Sequence, residues 1–427
     1  MNIKLSKVSK ICGSIEVPAD KSITHRAVIL SSLADGVSAI KNYLPSEDCL
    51  RTIEICKQLG ADIKIDGNNL YIKGYGLKLQ KPNSVLYAGN SGTTARLISG
   101  ILAGQHFKSE IAGDESLSKR DMKRIIEPLS QMGAVFESAK GFLPLSIEGK
   151  SPLKAIKYDS DKASAQVKSA VLFAGLYADG ITEYREPIKS RDHSERALKS
   201  FGADIKIDGN CASINPIEKL NPQNIEICGD LSSAAFFIAA SVLIENSELT
   251  IKNVGINPSR DGFLRILKTM GADIEFDNIR ESSGEPVCDI KARHSKLHSA
   301  NIDADIVPSM IDEIPIFALL CAKAEGISKI SGAKELRAKE SDRIKSIVGQ
   351  FKKLGIEIEE SEDGFEICGK PDGKFNSCEV ESFFDHRIAM ALSIAALAGA
   401  DDMIIKDAHC VAISFPNFYG VLKEICL

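Results

Sequence analysis

No C-x-x-C pair occurs in the chain, although it holds 11 cysteines, and none of them shares a metal-type spacing with a histidine. That absence points away from zinc modules and disulfide frameworks. The scattered thiols suit a reduced, mostly buried set in a cytoplasmic protein. No run of 18 apolar residues occurs, so the sequence offers no candidate for a spanning helix. The opening "MNIKLSKVSKICGSIEV" lacks the apolar centre of a signal peptide, and a cytoplasmic location is expected. Basic residues are not in excess: 53 Lys and Arg stand against 58 Asp and Glu, a net charge of −5, which argues against a general polyanion-binding surface but leaves room for a local basic cleft. What remains is an ordinary globular composition, 44% apolar and 26% charged, over 427 residues, enough for two or three domains.

A phrase repeats along the chain. It reads "CKQLGADIKI", "LSQMGAVFES", "LKSFGADIKI", "LKTMGADIEF" and "FKKLGIEIEE", with glycines at 60, 133, 202, 271 and 355. Each copy has the form of a helix end, a glycine cap and an alternating strand. A second phrase alternates with it. Apolar helices are expected to begin near Lys21, Gly92, Ser164, Leu231, Pro308 and His386, each followed by a strand, a polar loop and another helix. This gives six repeated β/α units in an α/β fold. The sixth copy ends at "LKEICL" without closing strands, and the N-terminal "NIKLSKVSKICGSIEVP" is expected to complete it. Two domains of three units follow. One spans 21–228; the other is discontinuous, joining 1–20 to 229–427 and carrying both termini.

The residues able to do chemistry gather at the starts of the apolar helices. In "ADKSITHRAVIL" the apolar positions Ile23, Ala27, Leu30 and Ala34 keep helical spacing, yet the helix opens with Lys21 and Arg26. Cations are the wrong sign for a helix N-terminus, where unsatisfied N–H groups and the macrodipole favour an anion. Their presence therefore suggests a ligand with several negative charges. "GNSGTTAR" (Gly89 to Arg96) adds small residues that let a phosphate or carboxylate approach the backbone, though it lacks the Lys-Ser/Thr of a P-loop. "SAQVK" (Ser164 to Lys168), "PSMIDE" with Asp312 and Glu313, and "DHR" (Asp385, His386, Arg387) occupy the same place in other repeats, whereas "GDLSSAAFF" brings no cation. Loops before the second helices contribute Lys119, Arg120, Arg191, Lys339, Glu340 and Arg343. Taken singly, each has a plain structural reading: a solvated helix end, an N-cap, a charged face with i,i+3 pairs. His25, His193 and His386 read as structural hydrogen-bonding residues. Recurrence at equivalent positions favours a small ligand carrying both phosphate and carboxylate groups.

Together, "ADKSITHRAVIL", "AGNSGTTARLISGIL", "GDESLSKRDMKRIIEPL", "SAQVKSAVLFAGL", "VPSMIDEIPI", "LRAKESDRI", "DHRIAMALSIAAL" and "SFPNF" resemble the 5-enolpyruvylshikimate-3-phosphate synthase family of enolpyruvyl transferases, over nearly the whole chain and in order. The resemblance implies the two-domain enolpyruvyl transferase fold, an inside-out α/β barrel whose halves close over substrates. It implies transfer of enolpyruvate from phosphoenolpyruvate to shikimate 3-phosphate with release of phosphate, on the route to chorismate and aromatic amino acids. No metal and no cofactor is implied, and the partners are the two small-molecule substrates, with no nucleic acid, no membrane and a monomeric state. Position by position, it assigns Lys21, Ser22, Arg26, Ser164, Ala165, Gln166, Arg191, Asp312 and Lys339 to shikimate 3-phosphate. Lys21, Gly92, Arg120, Gln166, Arg343 and Arg387 go to phosphoenolpyruvate. Asp312 and Glu340, with Lys21, take the catalytic roles. Ile413 stands where many members have lysine, and Glu335 where others have Asn.

Two other readings compete. The sister transferase acting on UDP-N-acetylglucosamine carries a reactive cysteine in the second-repeat loop and Lys-Asn at its start; here the loop is "GDESLSKR" and the pair is Lys-Ser. A six-repeat nucleic-acid clamp would need rows of Lys and Arg on exposed helix faces.

Overall fold

The computed structural model describes residues 1–426. Its contacts group the chain into two compact units. One comprises Met1–Pro18, Cys228–Glu281 and Pro286–Leu427; the other comprises Ala19–Ile227 together with the turn Ser282–Glu285. Each unit contains three small sheets and has its own apolar core.

One sheet shows how a repeat is made. Glu47–Gln58 is an amphipathic helix, and Gly60 follows it with φ of 109°. The chain then forms the hairpin Asp62–Asp66 and Asn69–Tyr75, pairing Ile63 with Ile72. Asn69–Tyr75 also pairs antiparallel with Asp35–Lys41, the strand that follows the first helix. The glycines at 133, 202, 271 and 355 likewise take positive φ, from 81° to 104°, so all five hold a backbone conformation that a side chain disfavours.

A short parallel strand precedes each of the six apolar helices. Four of these strands pair within their own repeat, as Lys157–Asp159 does with Thr182–Arg185. The other two are exchanged. Cys12–Glu16, which leads into the Lys21 helix, pairs with Glu248–Gly255 of the fourth repeat, and Asn224–Glu226, which leads into the Leu231 helix, pairs with Asp35–Lys41 of the first. The N-terminal strands therefore part company: Ile3–Leu5 completes the sixth sheet against Met403–Lys406, but Cys12–Glu16 does not join it. The expectation that both complete the last repeat is corrected on this point. Strands of three to five residues carry too little alternation to reveal their partner.

Lys21–Leu33, Gly92–Ala103 and Ala165–Gly175 form the centre of one unit, and Leu231–Leu243, Ile314–Ala322 and His386–Gly399 that of the other. They are buried on nearly every side, as helices apolar all round must be. Among the described residues no helix is long and apolar enough to cross a membrane. The fifth repeat departs from the expected single helix. Val307–Met310 forms one turn, residues 311–313 break away, and Ile314–Ala322 resumes. Pro315 has no N–H to give to the Ile311 carbonyl, so a continuous helix would lose that bond and crowd the ring against it. The break puts Asp312 and Glu313 in a turn instead of on a helix.

Candidate active site

In the unit built on Ala19–Ile227, neutral groups hold the guanidiniums of Arg26 and Arg120. Arg26 is buried, and its three hydrogen bonds go to Ser194 Oγ (2.7 Å), the Ser22 carbonyl (2.9 Å) and Ser169 Oγ (2.9 Å). One guanidinium thus joins the Lys21 helix, the Ala165 helix and the helix His193–Ser200 that follows Arg191. Burial, helped by Arg191 and opposed by Glu195 and Asp20, lowers its pKa to about 10. Asp20 caps the helix by accepting from the Ile23 N–H at 2.9 Å, and Lys21 Nζ sits 3.2 Å from Asp48. His25 Nδ1 meets Thr52 Oγ1 at 2.7 Å, and Thr52 meets Thr94 at 2.7 Å, a buried chain across three helices. Burial, then Lys21 and Arg26, hold His25 well below its ordinary pKa, so its structural reading stands.

At the Gly92 helix, Ser91 caps the Thr94 N–H at 3.1 Å. Arg120 donates from Nη2 to Asn90 Oδ1 at 2.6 Å, and its Nη1 lies 3.6 Å from where a Cβ on Gly92 would be. Arg96 Nη1 lies 3.3 Å from that point and donates to Gln166 Oε1, while Gln166 Nε2 donates to Thr93 Oγ1 at 3.0 Å. Gly92, Arg120 and Gln166 are thus neighbours, and Ser164 and Ala165 open the adjacent helix, with Ser164 as its N-cap. Two cations of the sequence clusters do not join them. Lys119 pairs with Glu115 at 2.7 Å on the exposed surface. Lys168 points inward to Glu195 (2.7 Å) and Glu186 (2.8 Å), all three side chains being about 2% exposed. Burial alone would lower the Lys168 pKa, but the two carboxylates outweigh it and hold it above its ordinary value.

The other unit arranges its charges differently. Arg343 is buried among three carboxylates: Nε to Asp385 Oδ2 at 2.8 Å, Nη2 to Glu340 Oε2 at 2.7 Å and Nη1 to Asp312 Oδ1 at 3.3 Å. Burial would lower its pKa, yet Asp385, Glu340 and Asp312 together raise it. Asp312 is shared. Its Oδ1 also lies 3.7 Å from Lys339 Nζ and 3.8 Å from Arg387 Nε, and its carbonyl accepts from Arg387 Nη1 at 3.1 Å. Burial lowers the Lys339 pKa, with Asp312 opposing. Asp312, Lys339, Glu340, Arg343 and Arg387 therefore form one cluster, and the segment "KESDR" is no solvated face.

One participant was named in the sequence without a role, and one escaped it. Asp385, of the "DHR" set, caps its helix by accepting from the Arg387 N–H at 3.0 Å, and its hold on Arg343 requires the fold. The fourth helix start is not bare: Arg260, from the loop "INPSRDGF", is buried there with Nη2 3.1 Å from Asp230 and 2.6 Å from Ser232 Oγ. Its place in the repeat matches that of Arg120, and that equivalence was the available signal.

Comparison with known proteins places the chain in a family. The family model "EPSP synthase (3-phosphoshikimate 1-carboxyvinyltransferase)" matches residues 5–422. A 3-phosphoshikimate 1-carboxyvinyltransferase from Endomicrobium trichonymphae is 60% identical, with 100% of both chains covered, and one from Geobacillus kaustophilus is 47% identical, with 98% of this chain and 99% of the relative covered. The solved EPSP synthase from Acinetobacter baumannii superposes with a TM-score of 0.90 at 41% identity, covering 100% of this chain and 98% of that one. The enolpyruvyl transferase NikO from Streptomyces tendae shares the fold at a TM-score of 0.79 and 18% identity, covering 99% of this chain and 96% of that one. The chain belongs to the EPSP synthase family of enolpyruvyl transferases.

Proposed function

We propose that the protein transfers the enolpyruvyl group of phosphoenolpyruvate to the 5-hydroxyl of shikimate 3-phosphate and releases inorganic phosphate. The observation that carries the reading is the pairing of two carboxylates on one buried guanidinium, Asp312 and Glu340 on Arg343, in a chain whose other candidate set offers cations to anions. The reaction needs a proton delivered to the methylene carbon of phosphoenolpyruvate and another removed from the attacking hydroxyl. Both transfers reverse as phosphate leaves. Two carboxylates in unlike surroundings suit that exchange: Asp312 lies within 3.8 Å of Lys339, Arg343 and Arg387, whereas Glu340 pairs with Arg343 at 2.7 Å and feels Lys339 as well.

In this reading Lys21, Ser22, Arg26, Ser164, Ala165, Gln166, Arg191, Asp312 and Lys339 hold shikimate 3-phosphate. Lys21, Gly92, Arg120, Gln166, Arg343 and Arg387 hold phosphoenolpyruvate, and Lys21 with the arginines stabilises the charge that develops as the tetrahedral species forms and collapses. The domains are 21–228 and 1–20 with 229–427, and the enzyme acts as a cytoplasmic monomer without a cofactor.

Phosphate release from the two substrates tests the proposal. Release with UDP-N-acetylglucosamine and none with shikimate 3-phosphate would move the chain to the sister activity. Asp312→Asn and Glu340→Gln are each expected to lower kcat by about a hundredfold or more, with phosphoenolpyruvate affinity changed far less. A variant keeping near-normal kcat removes that residue from the catalytic pair. Glyphosate, an anionic phosphonate, is expected to compete with phosphoenolpyruvate at Gly92, where a Cβ would crowd Arg96 and touch Arg120.

A further inference from the structure

Asn90 and Asp114 carry no role in the assignments above, yet they determine which N–H groups of Arg120 are left for a ligand. Asn90 Nδ2 donates to Asp114 Oδ2 at 2.8 Å, and Asn90 Oδ1 accepts from Arg120 Nη2 at 2.6 Å. The order of this chain is forced by chemistry. A carboxylate only accepts and a guanidinium only donates, so the amide between them has one orientation that satisfies both.

Asp114 is itself tied down on three sides. Its Oδ1 accepts from the Leu117 N–H at 2.7 Å, its carbonyl accepts from the Ser118 N–H at 2.9 Å, and its own N–H donates to the Gly89 carbonyl at 2.9 Å. The last bond stitches the 112–120 loop to the turn that opens the Gly92 helix, as does the bond from the Ala88 N–H to the Ala112 carbonyl at 2.8 Å. A direct ion pair between Asp114 and Arg120 would neutralise the cation. The amide relay holds the guanidinium through one nitrogen and leaves its charge uncancelled. Arg120 Nε is buried without a hydrogen-bond partner among the described residues, and Nη1 is directed at the start of the Gly92 helix. These are the groups an anion would take.

We infer that Asp114 is a positioning residue for capture of the phosphoenolpyruvate phosphate: by fixing the Asn90 amide it aims Arg120 at the helix start without cancelling its charge. This rests on the reading of Arg120 as a phosphate ligand. The relay makes a claim that simple structural importance does not. If Asp114 acts through Asn90, its substitution matters only while Asn90 is present.

The test is a double-mutant cycle on the full chain. Asp114→Asn keeps an oxygen for the Leu117 N–H but presents an amide N–H to Asn90, which then turns over and offers its own donor to Arg120. The KM for phosphoenolpyruvate is expected to rise about tenfold, the loss of one charge-assisted hydrogen bond. The KM for shikimate 3-phosphate should stay within about twofold and the urea midpoint should hold. Asn90→Ala should give the same split. The double variant should be no worse than either single one, because both break the same chain. An unchanged phosphoenolpyruvate KM in Asp114→Asn overturns the inference, as does a hundredfold rise in the double variant or a parallel rise of both KM values with a lowered midpoint. A wild-type protein that turns over neither substrate overturns the proposed function instead. The position of Arg120 in a crystal of Asp114→Asn then decides the inference without turnover: an Arg120 still bonded to Asn90 Oδ1 refutes it.

Discussion

Arg26 and Arg343 are both buried guanidiniums at or beside the start of a helix, and their surroundings are opposite. Arg26 is held by two serine hydroxyls and a carbonyl, Arg343 by three carboxylates. Neutral acceptors fix a cation's position and leave its charge to be met by a ligand, which suits a phosphate dianion. Carboxylates cancel the charge and in return are themselves positioned. The first arrangement leaves a cation for a ligand; the second holds acids and bases in place around a guanidinium that, in the proposed function, also meets phosphoenolpyruvate. The pKa directions agree: burial brings Arg26 down to about 10, whereas the three carboxylates raise Arg343 despite its burial.

The largest expected effect sharpens that contrast. Arg343→Ala would leave Asp385, Glu340 and Asp312 together without their shared cation. Breaking such a buried pair costs about 3–5 kcal/mol, so a lowered urea midpoint as well as lost turnover is expected. Arg26→Ala leaves only hydroxyls and a carbonyl unsatisfied. It should raise the KM for shikimate 3-phosphate by at least about tenfold while costing about 1–3 kcal/mol. Urea unfolding of both variants checks this, and equal losses of stability would dissolve the distinction.

The same contrast explains what could be read from the sequence. Apolar periodicity and the glycine after each second helix exposed the repeats, because those signals are local and the five glycines all adopt positive φ. Recurrent placement then pointed to the helix starts. The sign of each local charge balance could not be read, because it depends on partners far along the chain. Lys168 looked like another ligand-facing cation, but it is absorbed by Glu186 and Glu195. Arg260 was overlooked although it fills the start of the fourth helix. The exchanged strands Cys12–Glu16 and Asn224–Glu226 were equally hidden, since a short edge strand carries no label of its partner.

A second, smaller effect belongs to the cation-rich set. Lys21 and Arg26 help burial to keep His25 neutral, while an unfolded chain takes up that proton near the ordinary value of 6.5. Below that pH the unfolded state binds more protons, so stability falls as pH falls. The slope is up to about 1.4 kcal/mol per pH unit and ends where the folded histidine itself titrates. His25→Gln removes the proton but retains an amide for Thr52. Urea unfolding at pH 7 and pH 5 should show a smaller acid loss in the variant than in the wild type. Matching losses would mean that His25 contributes nothing to the acid limb.

The smallest effect concerns how the two kinds of helix start are reached. The turn before the Gly92 helix takes a positive φ at Gly89, of 59°, which costs a glycine nothing. The turn before the His386 helix makes the same demand of Phe383 and Phe384, at 55° and 57°. Both rings are exposed, Phe384 by 61%, and Phe384 meets His409 edge-on with centroids 6.0 Å apart. A left-handed conformation costs a side-chain-bearing residue about 1–2 kcal/mol, and glycine's larger unfolded-state freedom returns about 0.5–1 kcal/mol of any relief. Phe384→Gly is therefore expected to raise stability by about 1 kcal/mol or less, read as a higher urea midpoint. Because Asp385, which grips Arg343, follows directly, kcat in the same variant reports whether the tight turn also serves the carboxylate cluster. A stabler protein with unchanged kcat would assign the turn to packing alone. A stabler protein with reduced kcat would show that the strain helps to hold Asp385, and through it Arg343, in the working geometry.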